Sequence, residues 1–212
     1  MAAKATLTKV VLYPNPQIYH HLKTIFVHVP KTAGTSIERH LRQSVKDIVG
    51  GHTTALAYKR KFPNCFATYY KFAVIRHPLE RFTSAYRYLR GSPVHAALNN
   101  KIIHDCDSME GFIKMVRMEP GILGKIVHMM PQHGFVCDSS GTVLVDELFK
   151  YENLDTAWKQ VCGRIGVEHR ILARLNVSDV FHDTHGNVDE LQKFVGDMYA
   201  KDFAIFDYEL ST

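Results

Sequence analysis

Apolar positions along the chain fall into short blocks whose spacing alternates between strand-like runs and the 3.6-residue period of helices. Thr24 to Val29 is a continuous run rich in β-branched and aromatic side chains, which predicts a strand buried on both faces. Tyr70 to Ile75 and Val143 to Phe149 are two more such runs. Helical spacing follows each of them. Ile37 and Leu41 mark a helix ending near Ser44, and Leu79 to Leu89 a second one stopped by Gly91-Ser92-Pro93. Glu152 to Gly166 places Leu154, Trp158, Val161, Cys162 and Ile165 on one face, with Gly166 as the stop. Between these lie a short strand, Lys46 to Val49, and a helix from His52-Thr53-Thr54 to about Lys61. Thr53 or Thr54 caps that helix and Pro63-Asn64 halts it. From Val94 to Met130 apolar residues recur at helical spacing in short pieces, with Ser108 capping Met109 to Met118. Pro131 to Asp138 reads as loop and short strand, and Leu172 to Ser178 as extended. Val188 to Tyr199 reads as a closing helix, with Phe203, Phe206 and Tyr208 packing its tail. Residues 1–23 form a lead-in, extended over Thr8 to Tyr13 and turning at Pro14-Asn15-Pro16. Strands alternating with helices, without repeat or linker, predict one α/β domain over 1–212 around a mostly parallel sheet.

The most informative stretch runs from Thr24 to Leu41. Its strand breaks at Pro30, passes through Lys31-Thr32-Ala33-Gly34-Thr35-Ser36 and enters a helix. That geometry aims free backbone N–H groups and the positive end of a helix dipole at an anion. Lys31 adds a charge, and Thr35 and Ser36 add hydroxyls, so the loop is a candidate cradle for a phosphate-like or sulfate-like group. The plainer alternative is a strand-to-helix turn capped by Thr35 or Ser36. Lys31 precedes Gly34, whereas the triphosphate loop G-x-x-x-x-G-K-[ST] puts its Lys after the last Gly.

Tyr70 to Leu89 repeats the logic. A strand delivers Arg76 to its carboxyl end, Pro78 sets the first helical position, and Ser84 follows about 12 Å along the axis. Arginine offers a planar fork to phosphate oxygens and serine a hydroxyl. One phosphate reaches both only if the loop before the helix folds over it. The alternative is a local Arg76–Glu80 pair, with Ser84 a small helix residue.

Composition sets limits. The 212 residues sustain a substantial core, and 46% apolar with 22% charged residues is ordinary for a globular chain. A net charge of +5 suits an anionic ligand without identifying it. Lys and Arg are dispersed apart from Lys59-Arg60-Lys61, and nothing points to nucleic acid. Cys65, Cys106, Cys137 and Cys162 are widely spaced without a C-x-x-C pair, which argues against a zinc site or a disulfide scaffold. No apolar run reaches 18 residues or signal-peptide form. The expectation is a soluble, cytoplasmic chain without a membrane partner, or a catalytic domain separated from an anchor.

Pro30-Lys31-Thr32-Ala33-Gly34-Thr35-Ser36 resembles the 5′-phosphosulfate loop of sulfotransferases that use 3′-phosphoadenosine 5′-phosphosulfate (PAPS). Arg76-His77-Pro78 followed by Ser84 resembles that family's 3′-phosphate site, at its eight-residue step. Arg81, Tyr86 and Tyr88 are similar to the Golgi-type, carbohydrate-acting branch, which reads RNPxxRxxSxY, with His77 replacing the commoner Asn. Met130-Pro131-Gln132, VLVDELFKYENL and KDFAIFDY look like the same branch, so the resemblance covers most of the chain from residue 24 onward and extends to soluble bacterial-type members. The Arg-Lys-Gly-x-x-Gly loop of cytosolic members is absent, and Arg174-Leu175-Asn176-Val177-Ser178 is the candidate equivalent. No residue is identified as the adenine clamp.

The resemblance implies a P-loop-like three-layer α/β fold, its central, mostly parallel sheet flanked by helices. It implies PAPS as co-substrate, held by Lys31, Thr32, Ala33, Gly34, Thr35 and Ser36 at one end and by Arg76 and Ser84 at the other. Lys31 would neutralise the departing bisphosphate, with the N–H groups of Ala33 to Ser36 and no need of a metal. The acceptor would be a hydroxylated small molecule or oligosaccharide, contacted by residues 92–135. Its hydroxyl or amine requires a base, and His52 in GGHTTAL is the choice, related enzymes carrying a His in patterns such as H-x-T-A. Otherwise His52 caps its helix or lines the acceptor pocket. His28 reads as structural, His77 stands beside the 3′-phosphate site, and His128 and His133 flank the acceptor side. His20, His21, His182 and His185 read as surface residues, and the histidines show no metal spacing. Two rival classes are a P-loop kinase or hydrolase, with Asp146 as its loose metal ligand, and a non-catalytic polyanion-binding domain.

Overall fold

The computed structural model describes residues 17–42, 51–91, 101–172 and 188–210. The expected extended piece Thr8 to Tyr13, the strand Lys46 to Val49 and the Arg174 to Ser178 loop lie outside them. Four strands, β1 (Ile18–Tyr19), β2 (Thr24–Val27), β3 (Tyr70–Ile75) and β4 (Glu147–Lys150), form one sheet in that order. β1 is antiparallel to β2, and β2, β3 and β4 are mutually parallel. Every residue of β2 is buried, as is Lys71 to Ile75 of β3, which explains why both strands read as unbroken apolar runs.

Side chains alternate across the sheet. Ile25, Val27, Ala73 and Ile75 pack under α2 (Ala55–Lys61), α3 (Pro63–Thr68) and a short later helix at His133–Val136. Phe26, Phe72 and Val74 pack on the other face against α1 (Gly34–Leu41) and a helix spanning Leu154–Ile165. The result is a three-layer α/β fold. A third core beside the sheet is made by α4 (Pro78–Gly91), α5 (Lys101–His104), α6 (Met109–Met118) and α7 (Ile122–Lys125), then, beyond α8 (His133–Val136) and α9 (Leu154–Ile165), by α10 (Val188–Met198). α11 (Ala200–Phe206) follows α10.

Local signals account for most boundaries. Thr54 caps α2 by accepting from the Ala57 N–H, and Ser108 caps α6 through the Gly111 N–H. Gly166 ends α9 in the left-handed region. Several expectations change. α2 ends at Lys61, just ahead of Pro63 as expected, but Pro63 also opens α3, because its missing N–H costs nothing at a first helical position. The third strand begins at Glu147 rather than Val143: the Asp146 carboxylate takes the Lys71 N–H at 2.8 Å and pairs with its ammonium at 2.9 Å, which diverts the preceding chain. Val143 keeps only an isolated bridge to Cys137, reached from the α8 helix where a strand was expected. The tail after Tyr199 is itself helical. All four cysteines are free thiols, and among the described residues no helix is long and apolar enough to cross a membrane.

Phe72 has no exposure and stacks on Phe26 with centroids 4.9 Å apart. Phe72→Ala should destabilise the fold by roughly 3–5 kcal/mol. Replacing Met118, 82% exposed, with serine should change stability by less than about 0.5 kcal/mol. Urea denaturation of both variants measures the contrast.

Candidate active site

The parallel register pairs Val27 with Ala73, so the loops leaving β2 and β3 emerge at the same sheet edge. After β2 the backbone turns through Lys31 at φ 69° and Ala33 at φ 64°, both left-handed. Such conformations in non-glycine residues cost about 1–3 kcal/mol each and accompany function. Here they turn the loop so that Ala33 is the N-cap of α1, with no side-chain cap. The helix is therefore not started by Thr35 or Ser36, and the Gly34 and Thr35 N–H groups lack intrahelical acceptors. The Ser36 N–H is instead engaged by the Ala33 carbonyl at 3.0 Å, which removes it from the expected set of anion donors. Thr32 is fully buried and its hydroxyl donates to the Val29 carbonyl, so it braces the loop from inside. Gly34 is required by close approach, since an added Cβ would lie 1.9 Å from His28 Nε2.

The Lys31 ammonium sits 3.8 Å over the Tyr88 ring. Burial, and then the Arg76 guanidinium, pull its pKa down to about 8. Arg76 is thus near enough to repel it.

Beyond β3, the Arg76 backbone is gripped by Gln132, whose amide accepts from the Arg76 N–H at 2.9 Å and donates to its carbonyl at 2.7 Å. Gln132 is held in turn by Asp202, a fully buried carboxylate that accepts from the Gln132 and His133 N–H groups and from His133 Nδ1. The Arg76 side chain pairs with exposed Glu80 at 3.3 Å and lies 4.6 Å over Tyr151. Glu80, Ser84 and Tyr88 recur at four-residue steps on α4, so they share one face. Arg76 meets that stripe at Glu80 and Lys31 meets it at Tyr88, with Ser84 midway.

His52 lies beside the loop. Its Nδ1–H donates to the His28 carbonyl at 3.0 Å, and its ring packs 4.4 Å from His28 and 5.3 Å from His128. That bond leaves Nε2 as the lone-pair nitrogen. Burial first, then His28, His128 and Lys31, push its pKa down to about 2, so the ring is neutral. His128 also packs on Tyr88, its segment tied to α4 by Arg81, which donates to the His128 and Met130 carbonyls.

Other histidines part from their expected places. His77 Nε2 bonds the Glu209 carbonyl and its ring meets Phe203 and Tyr208, which turns it toward the C-terminal segment. His133 is tied to Asp202 through both its backbone N–H and its Nδ1. His28 lies just past β2 with Nδ1 2.5 Å from buried Glu38. Asp146 is committed to Lys71, at the start of β4 and away from the loop edge. Among the described residues, no group of three or more His, Cys, Asp or Glu is placed to hold a metal ion. Gln132, Asp202 and Glu38 are the functional supports that sequence reading missed. Gln132 and Asp202 lay within the Met130-Pro131-Gln132 and KDFAIFDY motifs, which gave them no role, and Glu38 had no signal of its own.

Gln132→Leu leaves both Arg76 backbone groups without partners. It should destabilise the protein by roughly 2–3 kcal/mol, read by chemical denaturation, with Gln132→Glu intermediate because it keeps one bond.

Comparison with protein families matches residues 18–209 to the model described as Sulfotransferase family. Comparisons with curated proteins and with solved structures returned no match. The match spans nearly the whole chain, including both loops at the sheet edge; the chain belongs to the sulfotransferase family and is a sulfuryl-transferring enzyme.

Proposed function

We propose that this sulfotransferase moves a sulfuryl group from PAPS to a hydroxyl or amine of a glycan or small metabolite by in-line displacement, within a single domain. One observation carries the choice of donor. Lys31 and Arg76 share a sheet edge, with Ser84 between them on α4. Two cationic tips suit a nucleotide with anionic groups at two positions. The residues fit: the left-handed Lys31 and Ala33 form a concavity of the kind that binds anions. Glu80 is an exposed partner that a phosphate displaces from Arg76 at little cost.

PAPS supplies the sulfuryl group and leaves as adenosine 3′,5′-bisphosphate. Lys31 and the first N–H groups of α1 meet charge growing on the leaving oxygen, fixed in place before reaction. Arg76 and Ser84 orient the other end of the nucleotide. His52 takes the acceptor proton at Nε2 while the His28 carbonyl keeps Nδ1 protonated. Burial, and after it neighbours that include Lys31, depress its basicity, and negative charge arriving beside Lys31 acts in the opposite direction.

Lys31→Ala should lower kcat about 10²–10³-fold with a smaller loss of nucleotide affinity, whereas a binding module would lose affinity alone. His52→Ala should lower kcat about 10²–10⁴-fold with nucleotide affinity near normal.

The Lys31 pKa of about 8 sets a pH dependence. An anion favours the charged amine, so binding raises that pKa and takes up a proton near pH 8.5. Affinity for adenosine 3′,5′-bisphosphate should hold below pH 8 and weaken above it, by up to about tenfold per pH unit. Calorimetry in buffers of different ionisation enthalpy reads the proton uptake. Lys31→Arg, charged throughout, should remove most of it.

A further inference from the structure

Behind His52 lies a buried hydrogen-bonded network that the reaction above does not use. Its hub is Glu38, a carboxylate on α1 with no solvent exposure. Its Oε1 accepts from His28 Nδ1 at 2.5 Å and from Gln17 Nε2 at 3.3 Å, and its Oε2 accepts from Arg42 at 3.0 Å. Removing a carboxylate from water is costly, and three donors, one of them Arg42, offset that here. Gly34 makes the arrangement possible, because only a residue without Cβ leaves room for the His28 ring.

Both donors to Oε1 lead on to His52. The carbonyl of His28 accepts the His52 Nδ1–H. The amide of Gln17 also donates to the carbonyl of Gly51, the residue immediately before His52, at 2.5 Å. Gln17 is fixed at its other end: its backbone N–H donates to the Tyr58 hydroxyl at 2.8 Å, and that hydroxyl donates to Gln17 Oε1. Gln17, His28 and Tyr58 are all buried. One carboxylate therefore governs both the acceptor of the His52 ring proton and the backbone that carries the ring.

We propose that Glu38, acting through His28 and Gln17, is a positioning residue for His52. It holds the imidazole in the Nδ1–H tautomer, so that Nε2 keeps the lone pair that receives the acceptor's proton. The pattern matches the general way in which a second hydrogen bond selects the working nitrogen of a histidine. The inference rests on His52 being the base, and its test separates the two ideas.

Histidine-selective ¹⁵N NMR of the full chain reads the tautomer directly, without reference to activity. The wild-type protein should show His52 as a single Nδ1–H tautomer. Glu38→Gln removes the hub's charge. Gln17→Ala is the second variant, because it cuts the Gly51 link while leaving the His28–Glu38–Arg42 pairs and hence the loop. In both, His52 should shift to a mixture of tautomers, with kcat lower by about tenfold or more and affinity for adenosine 3′,5′-bisphosphate within about threefold of wild type. An unchanged Nδ1–H signature in both variants overturns the proposal. So does nucleotide affinity falling in step with kcat, the mark of a damaged loop rather than a misplaced base. Normal turnover by His52→Ala would remove the base assignment, while a tautomer change in Gln17→Ala would still establish the hold on the ring.

Discussion

Two like charges held at one edge of a sheet are the constraint around which this molecule is arranged. Lys31 and Arg76 repel each other there, and with Lys31 half-buried, water screens them only in part. Only an anion relieves both at once. The scaffold resists that repulsion through main-chain anchors rather than through the charged groups themselves. Gln132 holds both polar groups of the Arg76 backbone, and Glu152 accepts from the next N–H at 2.7 Å. The Arg76 guanidinium, by contrast, pairs with an exposed carboxylate and lies over an aromatic face. A rigid backbone carrying an adaptable side chain is what ligand capture at a strand end requires.

The fold was legible wherever one segment contained its own reason. β2 and β3 are buried on both faces and therefore read as continuous apolar runs. Gly166 and Ser108 mark helix ends by local backbone chemistry alone. Boundaries set by distant partners were not legible. The start of β4 depends on Lys71, 75 positions earlier, whose N–H and ammonium both engage Asp146. Pro63 stands both after the end of α2 and at the start of α3, and the turn at Phe62 that joins the two helices left no mark in the local sequence.

The site divides in the same way. Lys31, Arg76, Ser84 and His52 stood out because each belongs to a short motif at a strand end or a helix start. Their supports did not, since an ordinary Gln, Asp or Glu gains its role from long-range contact: Gln132 meets Arg76 across 56 positions and Asp202 across 70. The neighbours of the motif were misjudged for a related reason. Adjacency in sequence set His77 beside the 3′-phosphate site and His133 with His128 on the acceptor side, yet each is bonded to a partner near the C-terminus.

That reliance on late positions has a consequence for how the protein is made. His77 is joined to the Glu209 carbonyl across 132 positions, and the Tyr208 hydroxyl reaches Glu152 beside the same turn. A chain emerging from the ribosome can form β2 and β3 early, but the turn after Arg76 must wait for residues beyond 200 before it is fastened. The nascent chain thus carries that turn unfastened until Tyr208 and Glu209, just past the end of α11, arrive to latch it.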